Sequence, residues 1–315
     1  MLNELAIRTC GLTKQFDRHI AVNDVDLQVQ AGEVYGLIGP NGAGKTTLIR
    51  MLAAAEEPTK GEIYINGDRL VGDRDNSTLK QRLGYLPDDF PLYDDLTVWD
   101  YLDYFARLYK LKEPRRSQRL REVLELVQLS QKRRSLIATL SRGMKQRLSL
   151  ARTIIHEPIV LLLDEPVSGL DPIARRQFRE IIKVLQEAGM TILISSHVLS
   201  DLAELCTSVG IMELGFLVES TTLSQLYQRL ARQQIFLTTL GEIERLTAEL
   251  NNHALVAGWE VLPGGRVQID FTGNQEDCAD LLRSLIAAGV PLSEFHCTQE
   301  DLETIFLKLG HQQAS

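Results

Sequence analysis

Eight consecutive residues, Gly39-Pro40-Asn41-Gly42-Ala43-Gly44-Lys45-Thr46, fit the spacing G-x-x-x-x-G-K-[ST] without a mismatch. That spacing suits phosphate. Glycines let the backbone curl until successive N–H groups point inward. A helix starting at Thr46 adds the positive end of its dipole. Lys45 can bring an ammonium to the β- and γ-phosphates of a nucleotide. The Thr46 hydroxyl can ligate Mg²⁺, and Thr47 can hydrogen-bond near the α-phosphate. A second group is the pair Asp164-Glu165, which closes the apolar run Ile159–Leu163. Asp164 is suited to hold Mg²⁺ through a water, and Glu165 to polarise an attacking water as a general base. Two carboxylates alone suit a solvated loop equally well. The phosphate loop in the same chain tips the reading toward hydrolysis.

These groups need elements to hold them. Ala21–Val29 and Val34–Ile38 are rich in strand formers, with the turn Ala31-Gly32-Glu33 between them. The glycine loop follows, and Thr46–Ala55 reads as a helix. Gly61–Asn66 reads as a strand. Residues 96–155 are helical in period, interrupted at Pro114. Ile159–Leu163 reads as a buried parallel strand, Ile173–Glu187 as a helix closed by Gly189, and Thr191–Ser195 as the next strand. Alternating strands and helices predict an α/β sheet covered on both faces, with ligands at the carboxyl ends of its strands. After about Ser220 the pattern changes. Strands at 235–240, 259–263, 267–271 and 294–297 alternate with helices at 242–251 and 276–288, and Gly264-Gly265 marks a hairpin. That β-α-β-β-α-β order suits a small ferredoxin-like domain, followed by a helix at 300–309.

The run Leu140-Ser141-Arg142-Gly143-Met144-Lys145-Gln146-Arg147 resembles the signature motif of ABC-type ATPases. Leu161–Pro166 looks like their Walker B strand, Ser168-Gly169-Leu170-Asp171-Pro172 like their D-loop, and Ser195-Ser196-His197 like their switch histidine. The resemblance covers roughly residues 5–220. It implies the ABC type of P-loop NTPase: a mixed β core, an antiparallel β subdomain and a helical subdomain near 89–157. An α+β C-terminal domain then occupies 221–315. By the same resemblance Phe16 stacks on adenine, His197 contacts the γ-phosphate, and Ser141 and Gly143 contact the γ-phosphate held by a second ATPase subunit. Two positions depart from the family pattern. The signature usually reads Leu-Ser-Gly-Gly-Gln, and here Arg142 and Met144 stand at its third and fifth positions; Asp88 in Tyr85-Leu86-Pro87-Asp88 stands where a glutamine usually sits. A carboxylate there can still reach Mg²⁺ or water, and Arg142 adds positive charge facing the anion.

The resemblance further implies a head-to-tail homodimer or heterodimer holding two MgATP, with a separate integral-membrane permease as partner. The aromatic stretch Phe90, Tyr93, Trp99, Tyr101, Tyr104 and Phe105 would receive a permease helix, or else form subdomain core. The tail Asp301–Leu309 is like that of ABC-2 exporter ATPases. Arg115, Arg116, Arg119, Arg121, Lys132, Arg133 and Arg134 read as a solvated face.

Composition limits the rest. The 315 residues are 44% hydrophobic and 24% charged, which excludes a fibrous or disordered chain. No apolar run approaches the roughly 20 residues of a membrane span. The start lacks a secretion signal, so the expected place is the cytoplasm, peripheral on the inner membrane face through the permease. Net charge is 34 − 42 = −8, and residues 221–315 hold 12 acidic and 6 basic side chains. Such a tail is a poor partner for nucleic acid. An ATPase acting on ribosomes or DNA, or one serving an importer, remain the alternative readings. Cys10, Cys206, Cys278 and Cys297 are scattered and read as reduced thiols acting as small hydrophobes.

Overall fold

Val-, Ile- and Leu-rich runs bounded by Gly and Pro form strands buried on both faces, because only there does a continuous apolar run leave no side exposed. In the computed structural model, which describes residues 5–70, 77–197, 202, 204–230, 233–262 and 265–299, the strands are β1 (Leu5–Phe16), β2 (His19–Val25), β3 (Gln28–Gln30), β4 (Val34–Ile38), β5 (Lys60–Ile65), β6 (Asp68–Leu70), β7 (Leu83–Leu86), β8 (Val160–Leu163), β9 (Thr191–Ser196), β10 (Ser208–Glu213), β11 (Phe216–Thr222), β12 (Gln233–Thr239), β13 (Val256–Val261), β14 (Arg266–Phe271) and β15 (Leu292–Gln299). The helices are α1 (Lys45–Leu52), α2 (Ser77–Lys80), α3 (Val98–Leu108), α4 (Arg115–Leu126), α5 (Arg142–Ile154), α6 (Pro172–Glu187), α7 (Leu223–Leu230), α8 (Ile243–Asn252) and α9 (Gln275–Ala287). The chain divides into two compact units, Met1–Leu223 and Ser224–Ser315.

In the first unit a six-stranded sheet runs β11-β10-β4-β9-β8-β7. All neighbours are parallel except β10 and β11, which form an antiparallel hairpin. Every residue of β4, β8 and β9 is buried. An antiparallel sheet of order β2-β1-β5-β6, with β3 also on β1, makes the second layer. The strand at 83–86 and the hairpin at 208–222 complete the main sheet and carry no periodicity strong enough to announce them.

The helical part lies between β7 and β8 in the chain. Leu120, Val123 and Leu124 of α4 and Val98, Tyr101 and Leu102 of α3 are buried. Tyr101 is therefore core, whereas Tyr93 and Tyr104 are about half exposed, at 49% and 48%. His156 stacks on Tyr109 with ring centroids 4.0 Å apart, and its Nε2 meets the Leu83 carbonyl at 3.0 Å. Burial pushes its pKa below the ordinary 6.5; the Leu83 contact opposes this and the nearby Arg119 charge adds to it. Below pH 6.5 the unfolded chain therefore binds a proton at His156 that the folded chain resists, so stability falls as pH drops from about 6.5. Urea midpoints measured from pH 7.5 down to 5.5 should decline less in His156→Phe, which keeps the stacked ring and loses the proton site.

The second unit has one antiparallel sheet of order β13-β14-β12-β15. Ile235, Leu237, Val267, Ile269 and Phe271 turn one face inward against Leu246, Leu250, Leu281 and Leu285 of α8 and α9. Asn274 and Asp277 form a capping box at the start of α9. This is the ferredoxin-like order. The helix expected at 300–309 lies outside the described residues. Cys10 and the buried Cys206 are free. Cys278 and Cys297 bring their sulfurs together, which their scattered places in the sequence do not suggest: their separation along the chain hides that α9 packs beside β15.

Candidate active site

Four parallel strands lie side by side in the order β4-β9-β8-β7, and each is followed by a piece of the candidate site. The phosphate loop follows β4, His197 follows β9, Asp164 and Glu165 follow β8, and Asp88 follows β7 by two residues. Side-by-side pairing is recorded by Ile38 opposite Ser196, Leu163 opposite Ile194, and Leu86 opposite Leu163. Residues distant in sequence thus meet at one sheet edge.

The loop's glycines are required by its shape. Gly44 has φ 100°, and a Cβ on it would stand 2.2 Å from the Ala21 carbonyl oxygen. A Cβ on Gly39 would stand 2.3 Å from the Met212 carbonyl oxygen. α1 begins at Lys45 with no side-chain cap and no acidic residue in its first turn, so its first N–H groups are left for an anion. Lys45 is buried; its Nζ donates to the carbonyls of Gly39 at 2.7 Å and Pro40 at 3.2 Å and lies 3.6 Å from Glu165 Oε1.

Glu165 sits in the left-handed region at φ 47°, an uncommon conformation for a side chain of its size and one that concentrates at functional sites. Its N–H donates to Ser195 Oγ at 3.0 Å, and His197 Nδ1–H donates to its Oε2 at 2.7 Å. Ser195 Oγ in turn donates to Asp164 Oδ1 at 2.7 Å. Asp164 is fully buried and its Oδ2 has no hydrogen-bond partner. A buried carboxylate oxygen without a donor is a costly group that a cation would satisfy. Asp88 has its pKa raised, first by burial, then by Asp164, Glu165 and Asp89, with Arg142 opposing. An excess of negative charge beside a cavity that Thr46 also lines fits Mg²⁺. Among the described residues no three His, Cys, Asp or Glu side chains hold a metal by themselves. Mg²⁺ is usually bound by one or two carboxylates together with substrate phosphates.

These residues surround a cavity of about 510 Å³ lined by Phe16, Asn41 to Thr47, Asp88, Glu165 and His197, and also by His19, Ala21 and Ser168. Phe16 is 42% exposed, so its ring is available to a planar ligand rather than spent in the core. His19 was not legible as a site residue; it reaches the cavity because it pairs with Phe16 across the β1–β2 turn. Ser168 has a signal only in its place in the D-loop-like run.

Ser141 and Gly143 do not line this cavity. Ser141 Oγ accepts from Met144 N at 3.3 Å as the cap of α5, and a Cβ on Gly143 would meet Ala174 Cβ at 2.7 Å. The Arg142 guanidinium lies on Gly169 and donates to the Ser168 carbonyl at 3.1 Å, so it braces this chain's own D-loop-like turn.

Comparison with known proteins agrees with this geometry. The ABC transporter family model matches residues 22–168. The bacitracin transport ATP-binding protein BcrA of Enterococcus faecalis is 34% identical over 311 residues, spanning 98% of this chain and 97% of that protein. The methionine import ATP-binding protein MetN of Legionella pneumophila (strain Lens) is 33% identical over 255 residues, spanning 79% of this chain and 75% of that protein. A solved ATP-binding subunit of an ABC transporter superposes with TM-score 0.64 at 30% identity, over 78% of this chain and 99% of that one. No helix among the described residues is long and apolar enough to cross a membrane. Identity of a third, sustained over almost the full length of both chains, shows that this chain belongs to the ABC transporter family as one of its ATP-binding, ATP-hydrolysing subunits.

Proposed function

We propose that this ATPase powers export through a separate membrane permease, with residues 1–220 as the ATPase domain and 221–315 as an accessory domain. The observation that carries the catalytic part is the convergence of Lys45, Glu165, His197 and Asp88 on one cavity. MgATP occupies it, with the base on Phe16 and the phosphates on residues 39–47. Thr46, Asp164 and Asp88 hold Mg²⁺, which supplies positive charge to the phosphate oxygens. Lys45 and His197 both engage the Glu165 carboxylate. An arriving triphosphate competes for Lys45 and leaves Glu165 free to take a proton from the attacking water. His197 then keeps Glu165 in place and can reach the terminal phosphate.

Ser141 and Gly143 stand away from the cavity of their own chain, which supports their use on ATP bound by a second ATPase subunit, identical or homologous. Two such subunits close head to tail over two nucleotides and open after hydrolysis, moving the permease. The exposed Tyr93 and Tyr104 support a permease contact beside the helical subdomain, at the inner face of the membrane. Full-length likeness to a bacitracin transport protein, including the C-terminal unit, favours export of an antibiotic-like compound. An importer role is the second reading, supported by the methionine import relative over less of the chain. Co-purification from detergent-solubilised membranes tests the proposal. A polytopic membrane protein should be recovered with the chain. Recovery of ribosomes or DNA instead would overturn it.

A further inference from the structure

The basic run that reads as one solvated face is divided by the fold. Arg115 pairs with Glu122 at 2.9 Å, and Arg116 with Asp103 at 2.8 Å and Glu113 at 2.9 Å. Arg119 donates to the Ile154 carbonyl at 2.7 Å. Arg121, Arg133 and Arg134 behave differently. Their side chains make no ion pair or hydrogen bond among the described residues, and all three line a second cavity of about 490 Å³ with Thr97, Trp99 and Asp100.

The walls of that cavity are anchored. Trp99 N donates to the Arg133 carbonyl at 2.9 Å, and Val98 N to the Ser135 carbonyl at 3.1 Å. Ile137 N donates to the Leu96 carbonyl at 3.0 Å, and Thr97 bridges Leu136. The backbone carrying Arg133 and Arg134 is therefore pinned to the start of α3, while their guanidinium groups remain unpaired. The amides of that helix start are already used, since Asp100 N donates to Thr97 Oγ1 at 3.1 Å. Recognition would fall to side chains. Asp100 accepts from Thr97 Oγ1 at 2.6 Å and offsets one charge, leaving 3 − 1 = 2 positive charges in excess. Three planar forks exceed the two oxygens of one carboxylate and match the several oxygens of a phosphate chain.

We infer that this arginine-lined cavity binds a small anion carrying two or more phosphates, at a site separate from the nucleotide cavity. Half-buried Trp99 forms part of its wall and reports occupancy. The segment it braces, 133–140, runs directly into Ser141.

Inorganic pyrophosphate is the probe. The full chain carries Lys45→Ala to weaken the phosphate loop and Trp259→Phe to leave Trp99 as the single indole, since the sequence has two tryptophans. Titration at constant ionic strength should change Trp99 emission saturably. Replacing Arg121, Arg133 and Arg134 together by Gln should raise the apparent Kd at least about tenfold, because each loses a charge-assisted contact. Each single replacement should raise it less. Equilibrium dialysis with pyrophosphate provides a second readout independent of the indole. An affinity unchanged by the arginine replacements, or no saturable binding by either method, overturns the inference. So does binding to phosphatidylglycerol vesicles without binding to pyrophosphate.

Discussion

Glu165→Gln is expected to lower ATP turnover by about 10²–10⁴-fold while leaving MgATP binding intact, because a positioned general base contributes about that much. The substitution keeps the length and shape of the side chain. It removes the only feature the step requires, an oxygen able to accept a proton. It also removes the negative charge that lies 3.6 Å from Lys45 Nζ. Lys45 then has one fewer competitor when a triphosphate arrives, so affinity should hold or rise. Single-turnover hydrolysis and isothermal titration, run on the same preparation, separate the two effects. Turnover close to the parent's would remove Glu165 from the role of base.

Lys45→Ala should weaken MgATP binding by about 10–10²-fold, the loss of one charge-assisted hydrogen bond of about 1.5–3 kcal/mol. Nearly all of the ammonium's surroundings belong to the loop and the acid beside it: the carbonyls of Gly39 and Pro40, and Glu165. None of these is a partner that only a folded core could supply, so the variant should retain its fold while losing ligand. Calorimetric titration with MgATP, beside a thermal melt, checks both halves. An affinity equal to the parent's would show that Lys45 does not meet the phosphates.

Much of this site was legible in the sequence because its chemistry is local. A phosphate loop is one uninterrupted stretch, and positive φ at Gly42 and Gly44 follows from what a curled backbone demands. Asp164-Glu165 announced itself as polar residues ending an apolar run. The same logic located β8, β9 and the helix between them, α6, within a residue or two. The arrangement of the C-terminal unit followed from alternating short strands and helices joined by a glycine turn.

Other features were decided by contacts that no local pattern encodes. The strand order β4-β9-β8-β7 brings Asp88 and His197 beside the phosphate loop, although they lie 43 and 152 residues beyond Lys45. His19 enters the cavity through a hairpin register, and Cys278 meets Cys297 through packing of a helix on a strand. The arginines make the sharpest contrast. Three of a kind in one run find carboxylates and carbonyls, and three others find none. Residue type determined what each group could do; the fold alone chose its neighbours, because sheet order and helix packing are settled by burial of faces spread across the whole chain.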